Sequence, residues 1–403
     1  MDTPYDATET RSPQARDAAD AARLDESVRQ ARAQVPFWRD RLPDPGRGGV
    51  ALADIAVLRK SDLPMVQAAA PPFGGLTAMA PGAFARLFVS PGPIHEPSPQ
   101  GGGWNAERAL HAAGLRRGDV VLNTFGYHLT PAGLMMDDAA RALGCAVIPA
   151  GGGNTAQIVQ AMAAYRPAHY IGTADYLNIL LAAADAAGVA VAIRSAVVSG
   201  AAVPASLRAA FGARGIAVFE LYGTAELGII AYETAAHAGL VLNEGLIAEI
   251  VAPGTGDTLK DGEVGELVVT PLRADYPLFR LATGDLTAFM PGTSPCGRTN
   301  RRLRGWMGRA DEAVKVKGMF LRPAMLAQIL MQVPGAPARA CLTVTRQNER
   351  DILTLECEGP PDDALSEALV RAVRDVARLG CAVRWAPKLP DGPQIRDLRA
   401  PAG

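Results

Sequence analysis

Short apolar segments alternate with helical segments through the middle of the chain. Residues 120–124 and 145–149 are predicted strands, and residues 129–143 between them form a predicted helix. The alternation continues through the predicted strands at 170–171 and 196–199. A strand, a helix and a further strand in succession are typical of a parallel sheet with helices on its faces. The sequence therefore predicts an α/β fold for this region.

The pattern changes after residue 240. Short strands at 247–251, 266–270 and 279–281 are separated by Gly, Pro and Asp turns, which indicates an antiparallel β subdomain. The last part of the chain follows the order strand, strand, helix, strand and forms a small α+β unit. A chain of 403 residues exceeds one ordinary core. We therefore expect a disordered N-terminus over 1–17, a large domain over 18–310 and a small domain over 311–403.

Charge and cysteine content exclude several classes of protein. The formal net charge of −1 leaves no electrostatic footprint for nucleic acid or for an anionic membrane surface. No apolar run approaches the roughly 20 residues of a membrane helix. The polar, acidic N-terminus is unlike a signal peptide. Five scattered cysteines without a C-x-x-C pair favour reduced thiols, so we expect a cytoplasmic protein.

One segment combines an aromatic ring, a hydroxyl and a carboxylate. Residues 216–221 are a predicted strand that runs into a tight turn carrying Tyr222, Thr224 and Glu226. Such a turn can stack a flat base, hydrogen-bond a phosphate and hold a cation. Taken alone, the segment favours a simple strand end capped by a glycine turn with an exposed glutamate. Two further motifs at fitting distances, Thr283-Gly284-Asp285 and Gly308-Arg309-Ala310-Asp311, favour the binding site.

Together the three motifs resemble those of the adenylate-forming superfamily, and within it those of phenylacetate-CoA ligases. Residues 35–42 and 58–63 also resemble N-terminal segments of these ligases, so the resemblance spans about residues 35–399. It implies a large α/β AMP-binding domain with a β subdomain and a small mobile α+β domain. It also implies ATP-dependent activation of an aryl or arylacetic acid as acyl-AMP, followed by transfer to coenzyme A. The implied cofactors are ATP/AMP, Mg²⁺ and coenzyme A, and the implied partners are an aromatic acid and coenzyme A. A homodimer is compatible with it, and the oligomeric state stays open.

The resemblance also assigns roles to residues of the first two motifs. Tyr222, with Gly223, would bind adenine, and Thr224 would lie near the α-phosphate as a catalytic residue. Glu226 would hold Mg²⁺ and act in catalysis. Asp285 would accept hydrogen bonds from the ribose hydroxyls, as carboxylates do in other nucleotide-binding folds.

Residues 308–318 are the most specific match. By resemblance, Arg309 would reach the nucleotide and act in catalysis, because its guanidinium suits paired oxygen ligands. Asp311 would be the hinge of the small domain, and Lys317 would contribute to cofactor binding. The alternative, in which Lys315 and Lys317 merely protect a hairpin edge, stays open.

Residues 125–133 follow a predicted buried strand, and the resemblance places the acyl pocket here. Phe125, Tyr127 and His128 would line it, together with Gly200 and Ala201. Aromatic walls with one polar group suit a flat aromatic acid. His128 fits a purely structural role equally well.

Two departures from the family pattern bear on catalysis. The family's phosphate loop is rich in Ser, Thr and Gly and ends in lysine. Here residues 89–103 contain four prolines, which lack N–H donors, together with Glu96. Near the C-terminus, Gln394 stands close to the position of a family lysine that reaches the reacting carboxylate. The neighbouring cations are Lys388, Arg396 and Arg399.

Three functions therefore remain open on the sequence alone. The first is the complete ligase reaction. The second is a non-catalytic homologue that holds AMP or an acyl adenylate. The third is an enzyme that catalyses only thioester transfer from a preformed intermediate. The fold by itself does not distinguish among them.

Overall fold

The computed structural model describes residues 3–46, 48–98, 103–310, 314–317, 319–321, 323–348 and 350–399. The chain divides into two compact units, Met1–Gly308 and Arg309–Gly403. The division lies close to residue 310, where the sequence predicts the domain boundary.

The larger unit contains seven α-helices and fifteen strands within the described residues. Its helices are α1 (Pro13–Gln34), α2 (Leu63–Ala69), α3 (Glu107–Ala112), α4 (Ala132–Ala142), α5 (Thr155–Tyr165), α6 (Ala174–Ala186) and α7 (Ala205–Ala213). Its strands are β1 (Leu58–Arg59), β2 (Leu87–Ser90), β3 (Ile94–Pro97), β4 (Val120–Asn123), β5 (Ala146–Pro149), β6 (His169–Gly172), β7 (Ser195–Val198), β8 (Ala217–Thr224), β9 (Gly228–Tyr232), β10 (Leu240–Leu242), β11 (Leu246–Val251), β12 (Gly265–Pro271), β13 (Leu281–Thr287), β14 (Phe289–Met290) and β15 (Arg302–Leu303).

A nine-stranded sheet forms the centre of this unit, in the order β14-β15-β10-β9-β8-β7-β6-β4-β5. Strands β5, β4, β6, β7 and β8 are parallel, and the remaining pairings are antiparallel. Consecutive residues of a strand point to opposite faces. On β4, Val121 packs in the apolar cluster formed with α3 and α4, whereas Leu122 packs against α5 and α6. The predicted α/β fold is confirmed.

A second sheet has the order β1-β13-β12-β11, with β1 parallel to β13 and the other pairs antiparallel. It contains the short strands that the sequence predicts after residue 240. One prediction in this region is wrong, because Arg280 is not in a strand. Its backbone φ is +45°, and β13 begins at the next residue. The Arg280 guanidinium is buried and forms an ion pair with Glu249 at 2.9 Å.

Within the described residues, positions 3–17 are folded, whereas the sequence predicts disorder over 1–17. Asp6 caps a 3-10 helix at Ala7–Thr10, and Ser12 caps α1. Glu9 is buried, where it pairs with the Arg298 guanidinium and accepts a hydrogen bond from the Tyr232 hydroxyl. The composition-based prediction failed because these partners lie more than 200 positions away in sequence.

The smaller unit is an α+β structure. Its elements are β16 (Val314–Val316), β17 (Met319–Leu321), α8 (Pro323–Met331), β18 (Ala340–Gln347), β19 (Arg350–Glu358), α9 (Asp363–Ala377), β20 (Ala382–Ala386) and β21 (Ile395–Asp397). The main sheet has the order β20-β19-β18-β21, and its core includes Leu342, Leu355 and Leu369. Over the part of the chain that the structure describes, no helix is both long and apolar enough to cross a membrane.

Candidate active site

Several predicted site residues lie at one edge of the central sheet. Phe125, Tyr127 and His128 follow β4, and Gly200 and Ala201 follow β7. Because these strands are parallel, their carboxyl ends meet at the same edge. Ligands of open α/β sheets bind at this edge.

The segment with Tyr222 is more extended than predicted. Strand β8 continues through Thr224, so Tyr222 and Thr224 lie in the strand and not on a tight turn. The Thr224 hydroxyl accepts a hydrogen bond of 3.2 Å from the Leu227 N–H, which closes the turn into β9. Gly223 follows a β-bulge, and a Cβ there would lie 2.6 Å from the Gly228 carbonyl oxygen. Glycine is therefore required at position 223 by packing.

Tyr222 and Asp285 are brought together from different sheets. The Tyr222 hydroxyl donates a hydrogen bond of 2.7 Å to Asp285 Oδ2. The Asp285 N–H donates a hydrogen bond of 3.1 Å to the Thr283 hydroxyl, which holds the main chain of the Thr283-Gly284-Asp285 motif in place. A carboxylate offers about four acceptor sites.

Trp306 is a site residue that the sequence reasoning missed. Its indole N–H donates to Asp285 Oδ1 at 3.0 Å, although 41% of the side chain is exposed. With Leu240 and Leu303 it also lines a small recess beside Tyr222. The available signal in the sequence was a tryptophan two residues before Gly308, the first residue of the third motif.

Glu226 is buried beside a lysine from the N-terminal region. Lys60 Nζ lies 2.9 Å from Glu226 Oε1 and 3.0 Å from Oε2. Lys60 directly follows β1, and the pairing of Leu58 with Leu281 of β13 holds it there. The sequence reasoning missed Lys60, although it lies within residues 58–63, which resemble the ligases.

Glu96 lies in the segment that corresponds to the phosphate loop. Residues 90 and 94 pair in a β2–β3 hairpin, and residues 99–102 lie outside the described residues. Glu96 is 1% exposed, and its Oε1 accepts a hydrogen bond from the Ser90 hydroxyl. Burial and the Glu226 charge raise the pKa of Glu96 to about 8, against the opposing effects of Ser90 and Lys60. Glu96 is therefore largely protonated at neutral pH, and the Lys60 ammonium is paired with Glu226.

The Tyr127 hydroxyl is engaged within the protein. It donates to Asp137 Oδ2 at 3.0 Å and accepts from the Asn123 side-chain amide at 2.8 Å. Burial, followed by the Asp137 charge, raises the pKa of Tyr127 well above its usual range. Phe125 is half-buried, whereas His128 is exposed. A ligand at this edge would therefore meet the Tyr127 ring more readily than its hydroxyl.

The third motif spans the division between the two units, because Gly308 ends the larger unit and the smaller unit follows it. Arg309 is the first residue of the smaller unit and is half-buried. Lys317 is exposed in the turn of the β16–β17 hairpin, with a backbone φ of +47°. This position differs from the strand position assumed in the hairpin-edge alternative. The predicted hinge, Asp311, lies outside the described residues.

The arginines near the C-terminus are held in ion pairs within the smaller unit. Arg396 pairs with Glu356 on β19. Arg399 lies 2.9 Å from Asp351 and also contacts Asp397. Gln394 is exposed directly before β21. For either arginine to take over the role of the family lysine, its ion pair within the smaller unit would have to break.

Comparisons with known proteins agree with these features. The family model described as "AMP-binding enzyme" matches residues 108–271. A phenylacetate-coenzyme A ligase from Aromatoleum evansii is 30% identical, over 84% of this chain and 81% of that protein. The enzyme of the same name from Thermus thermophilus is 29% identical over 83% of this chain and 80% of its own.

Solved structures show the same fold. A crystal structure of 2-hydroxyisobutyryl-CoA ligase, in complex with 2-HIB-AMP and CoA, has a TM-score of 0.87 and 24% identity. The match covers 97% of this chain and 91% of that one. The amide bond synthetase McbA from Marinactinospora thermotolerans has a TM-score of 0.54 and 18% identity, covering 76% and 66% of the two chains.

Proposed function

Because this chain belongs to the phenylacetate-coenzyme A ligase family of AMP-forming acid–CoA ligases, we propose that it activates an aryl or arylacetic acid. The acid would be converted by ATP to its acyl-AMP, and the acyl group would then be transferred to coenzyme A. We also propose that residues 18–310 bind AMP and that residues 311–403 form the mobile domain.

The observation that carries the proposal is the hydrogen bond between Tyr222 and Asp285. It holds an aromatic ring and a carboxylate side by side, although they come from different sheets. An adenine base can stack on the ring while the adjoining ribose hydroxyls donate to the carboxylate. The main-chain turn after Thr224 lies next to them, which supports a phosphate position there. Arg309 and Lys317 are proposed as further nucleotide-binding residues.

An aromatic acid is supported by the residues after β4. Phe125 and the ring of Tyr127 would form the walls of the acid pocket, with Gly200 and Ala201 across the sheet edge. The Tyr127 hydroxyl is already hydrogen-bonded, so it is unavailable as a donor to the acid without rearrangement. His128 would orient the substrate carboxylate.

The carboxylates of Glu226 and Glu96 suit a magnesium ion, because Mg²⁺ prefers oxygen ligands. Bound there, the ion would neutralise phosphate charge as the acyl-AMP forms. Lys60 contributes a fixed positive charge next to Glu226 in the same region.

A second candidate function is thioester transfer, or simple binding, with little adenylation. It is favoured by Glu96, a buried acid in the loop where the family carries lysine, and by the ion pairs of Arg396 and Arg399. Pyrophosphate departure needs cationic and N–H donors that a preformed acyl-AMP does not need.

The test measures the two half-reactions separately with a panel of benzoic, phenylacetic and short aliphatic acids. ATP–pyrophosphate exchange reports adenylation, and acyl-CoA formation from synthetic acyl-AMP reports transfer. Both activities with an aromatic acid would support the ligase. Transfer without exchange would support the second candidate. A strong preference for an aliphatic acid would contradict the aromatic assignment.

A further inference from the structure

The hairpin formed by β2 and β3 is tied at two points to helix α4 and to the loop before it, residues 125–131. The Val89 N–H on β2 donates a hydrogen bond of 2.8 Å to the Leu129 carbonyl oxygen. The Arg86 guanidinium, at the base of the hairpin, donates to both carboxylate oxygens of Asp138 on α4, with 3.2 Å between Nη2 and Oδ1. Two-point pairing of planar groups fixes their relative orientation as well as their distance. The hairpin therefore has a defined position against α4.

Helix α4 also holds the loop that contains the proposed acid-pocket residues. Asp137, the neighbour of Asp138, accepts the hydrogen bond of 3.0 Å from the Tyr127 hydroxyl. Adjacent residues of a helix point about 100° apart, so the two carboxylates reach different neighbours. Leu129, between Tyr127 and α4 in the chain, has a backbone φ of +61°, which non-glycine residues rarely adopt. Such a backbone persists where surrounding contacts hold it, and here the Val89 N–H binds its carbonyl oxygen.

The other strand of the hairpin lies beside the turn that follows β8. Burial and then the charge of Glu226, in that turn, raise the pKa of Glu96 on β3, so the two side chains are close. Gln67 of α2 also holds β3, through hydrogen bonds of 2.7 and 2.8 Å to the His95 main chain. The hairpin therefore extends from α4 to the turn where the proposed nucleotide site would place the phosphates.

We propose that Arg86 and Asp138 are positioning residues, which set the distance between the bound acid and the nucleotide phosphate through the β2–β3 hairpin. The inference rests on the proposed function, since it takes the acid to lie against residues 125–131 and the phosphate beside Glu226. Acyl-AMP formation joins a carboxylate oxygen of the acid to the α-phosphorus, and pyrophosphate leaves with the electron pair of the broken phosphorus–oxygen bond. The reacting atoms must approach to about 3–3.5 Å, and an error of about 1 Å in their placement can lower the rate about 100-fold.

The Arg86–Asp138 ion pair is partly exposed, with 36% and 23% of the two side chains accessible. Ion pairs on a protein surface add little to stability, so the protein should stay folded without this one. A comparable pair joins Arg214 to Asp185 in the same unit, again through both oxygens, with 3.1 Å between Nη1 and Oδ1. It lies where α6 and α7 end. Helices between parallel strands run back to the amino edge of the sheet, so this pair is away from the site and serves as a matched control.

The test compares three ligands of the full-length protein by isothermal titration calorimetry. They are AMP, the acid preferred in the substrate panel, and the non-hydrolysable acyl-sulfamoyl adenosine that links this acid to the nucleoside. In the wild type the linked ligand should bind about 10²–10⁴-fold more tightly than either part, because the two sites are aligned. Arg86→Met and Asp138→Asn should each reduce this gain about tenfold or more, while the affinities for the separate acid and AMP change less than about threefold. Arg86→Lys keeps the charge and should restore part of the gain, and Arg214→Met should leave it unchanged.

An unchanged gain in folded Arg86→Met and Asp138→Asn would overturn the inference. Equal weakening of all three ligands would do so too, because it would indicate a structural loss and not misalignment. If one variant does not fold, the other supplies the answer, since each removes one end of the same ion pair. The double variant should lose no more than either single variant. Linked-ligand binding needs no turnover, so the result does not depend on ATP-dependent adenylation. A wild type that binds neither AMP nor the linked ligand would instead refute the proposed function itself.

Discussion

Asp285→Ala is expected to weaken AMP binding by about 30-fold. The substitution removes the carboxylate that would accept the ribose hydrogen bonds. A net contribution of about 1 kcal/mol from each of the two ribose hydrogen bonds gives an expected loss of about 2 kcal/mol. The Tyr222 hydroxyl and the Trp306 indole N–H also lose their acceptor, at 2.7 and 3.0 Å. Tyr222 is half-buried and Trp306 is 41% exposed. Water can therefore replace the lost carboxylate acceptor at both groups. The free energy of unfolding should therefore fall by only about 1 kcal/mol.

Isothermal titration calorimetry with AMP and with 2′-deoxy-AMP measures the ribose contribution directly. The wild type should prefer AMP, and Asp285→Ala should bind the two nucleotides with nearly equal affinity. Tyr222→Phe is the matched control, because it keeps the aromatic ring and removes only the hydrogen bond to Asp285. It should retain the preference for AMP and lose less than about 1 kcal/mol of binding free energy.

Equal AMP affinity in the wild type and in folded Asp285→Ala would refute the assignment of Asp285 to the ribose. A persistent preference for AMP over 2′-deoxy-AMP in this variant would do the same. In either case the hydrogen bond between Tyr222 and Asp285 would have a structural role only.

The other predictions concern catalysis and stability. Asp311→Pro should fix the backbone at the proposed hinge and abolish one half-reaction while sparing the other; equal losses in a folded variant would argue against a hinge there. Because the loop over residues 89–103 holds four prolines and Glu96 and is not followed by a lysine, ATP–pyrophosphate exchange should be weak although an acyl-AMP analogue still binds; a turnover near the enzyme median of about 10 per second would show that the loop is competent. Glu9→Gln should lower the free energy of unfolding by about 3 kcal/mol in urea denaturation, because Arg298 would stay buried without its charged partner; a change below about 0.5 kcal/mol would contradict this. Burial, opposed by the Asp119 contact, lowers the pKa of His169 below its usual 6.5. The unfolded chain therefore takes up this proton first, and stability should fall as pH drops below about 6.5; His169→Gln should flatten that part of the urea-denaturation profile, and an unchanged slope would exclude His169 as its origin.

Local patterns predicted the central sheet, and the resemblance of the motifs assigned Tyr222 and Asp285 to one nucleotide site. Alternating apolar segments identify strands and helices because burial follows the period of each element. The contact of Lys60 with Glu226 was beyond such reasoning, because it depends on the pairing of a two-residue strand with β13. Pairings between distant segments leave little local signal.

The same limit explains the error at the N-terminus. A polar, acidic composition is typical of disorder when the chain is considered alone. Glu9 is nevertheless buried, because Arg298 and Tyr232 satisfy it from distant parts of the fold. The Glu96–Glu226 cluster is a similar case. The sequence shows an acid in the loop, and only the fold shows which charges surround it.

The short pairing of β1 with β13 has a consequence for protein engineering. Two residue pairs hold the N-terminal segment against the strand that carries Asp285, and Arg59 reinforces them through Glu266 at 3.3 Å. Lys60 therefore depends for its position on residues more than 200 positions away. Chimeras that exchange residues 1–70 with a homologue should also exchange residues 220–290, which contain both Glu226 and β13. A crossover between the two segments would pair a foreign lysine with the native glutamate and shift the charges at the phosphate site.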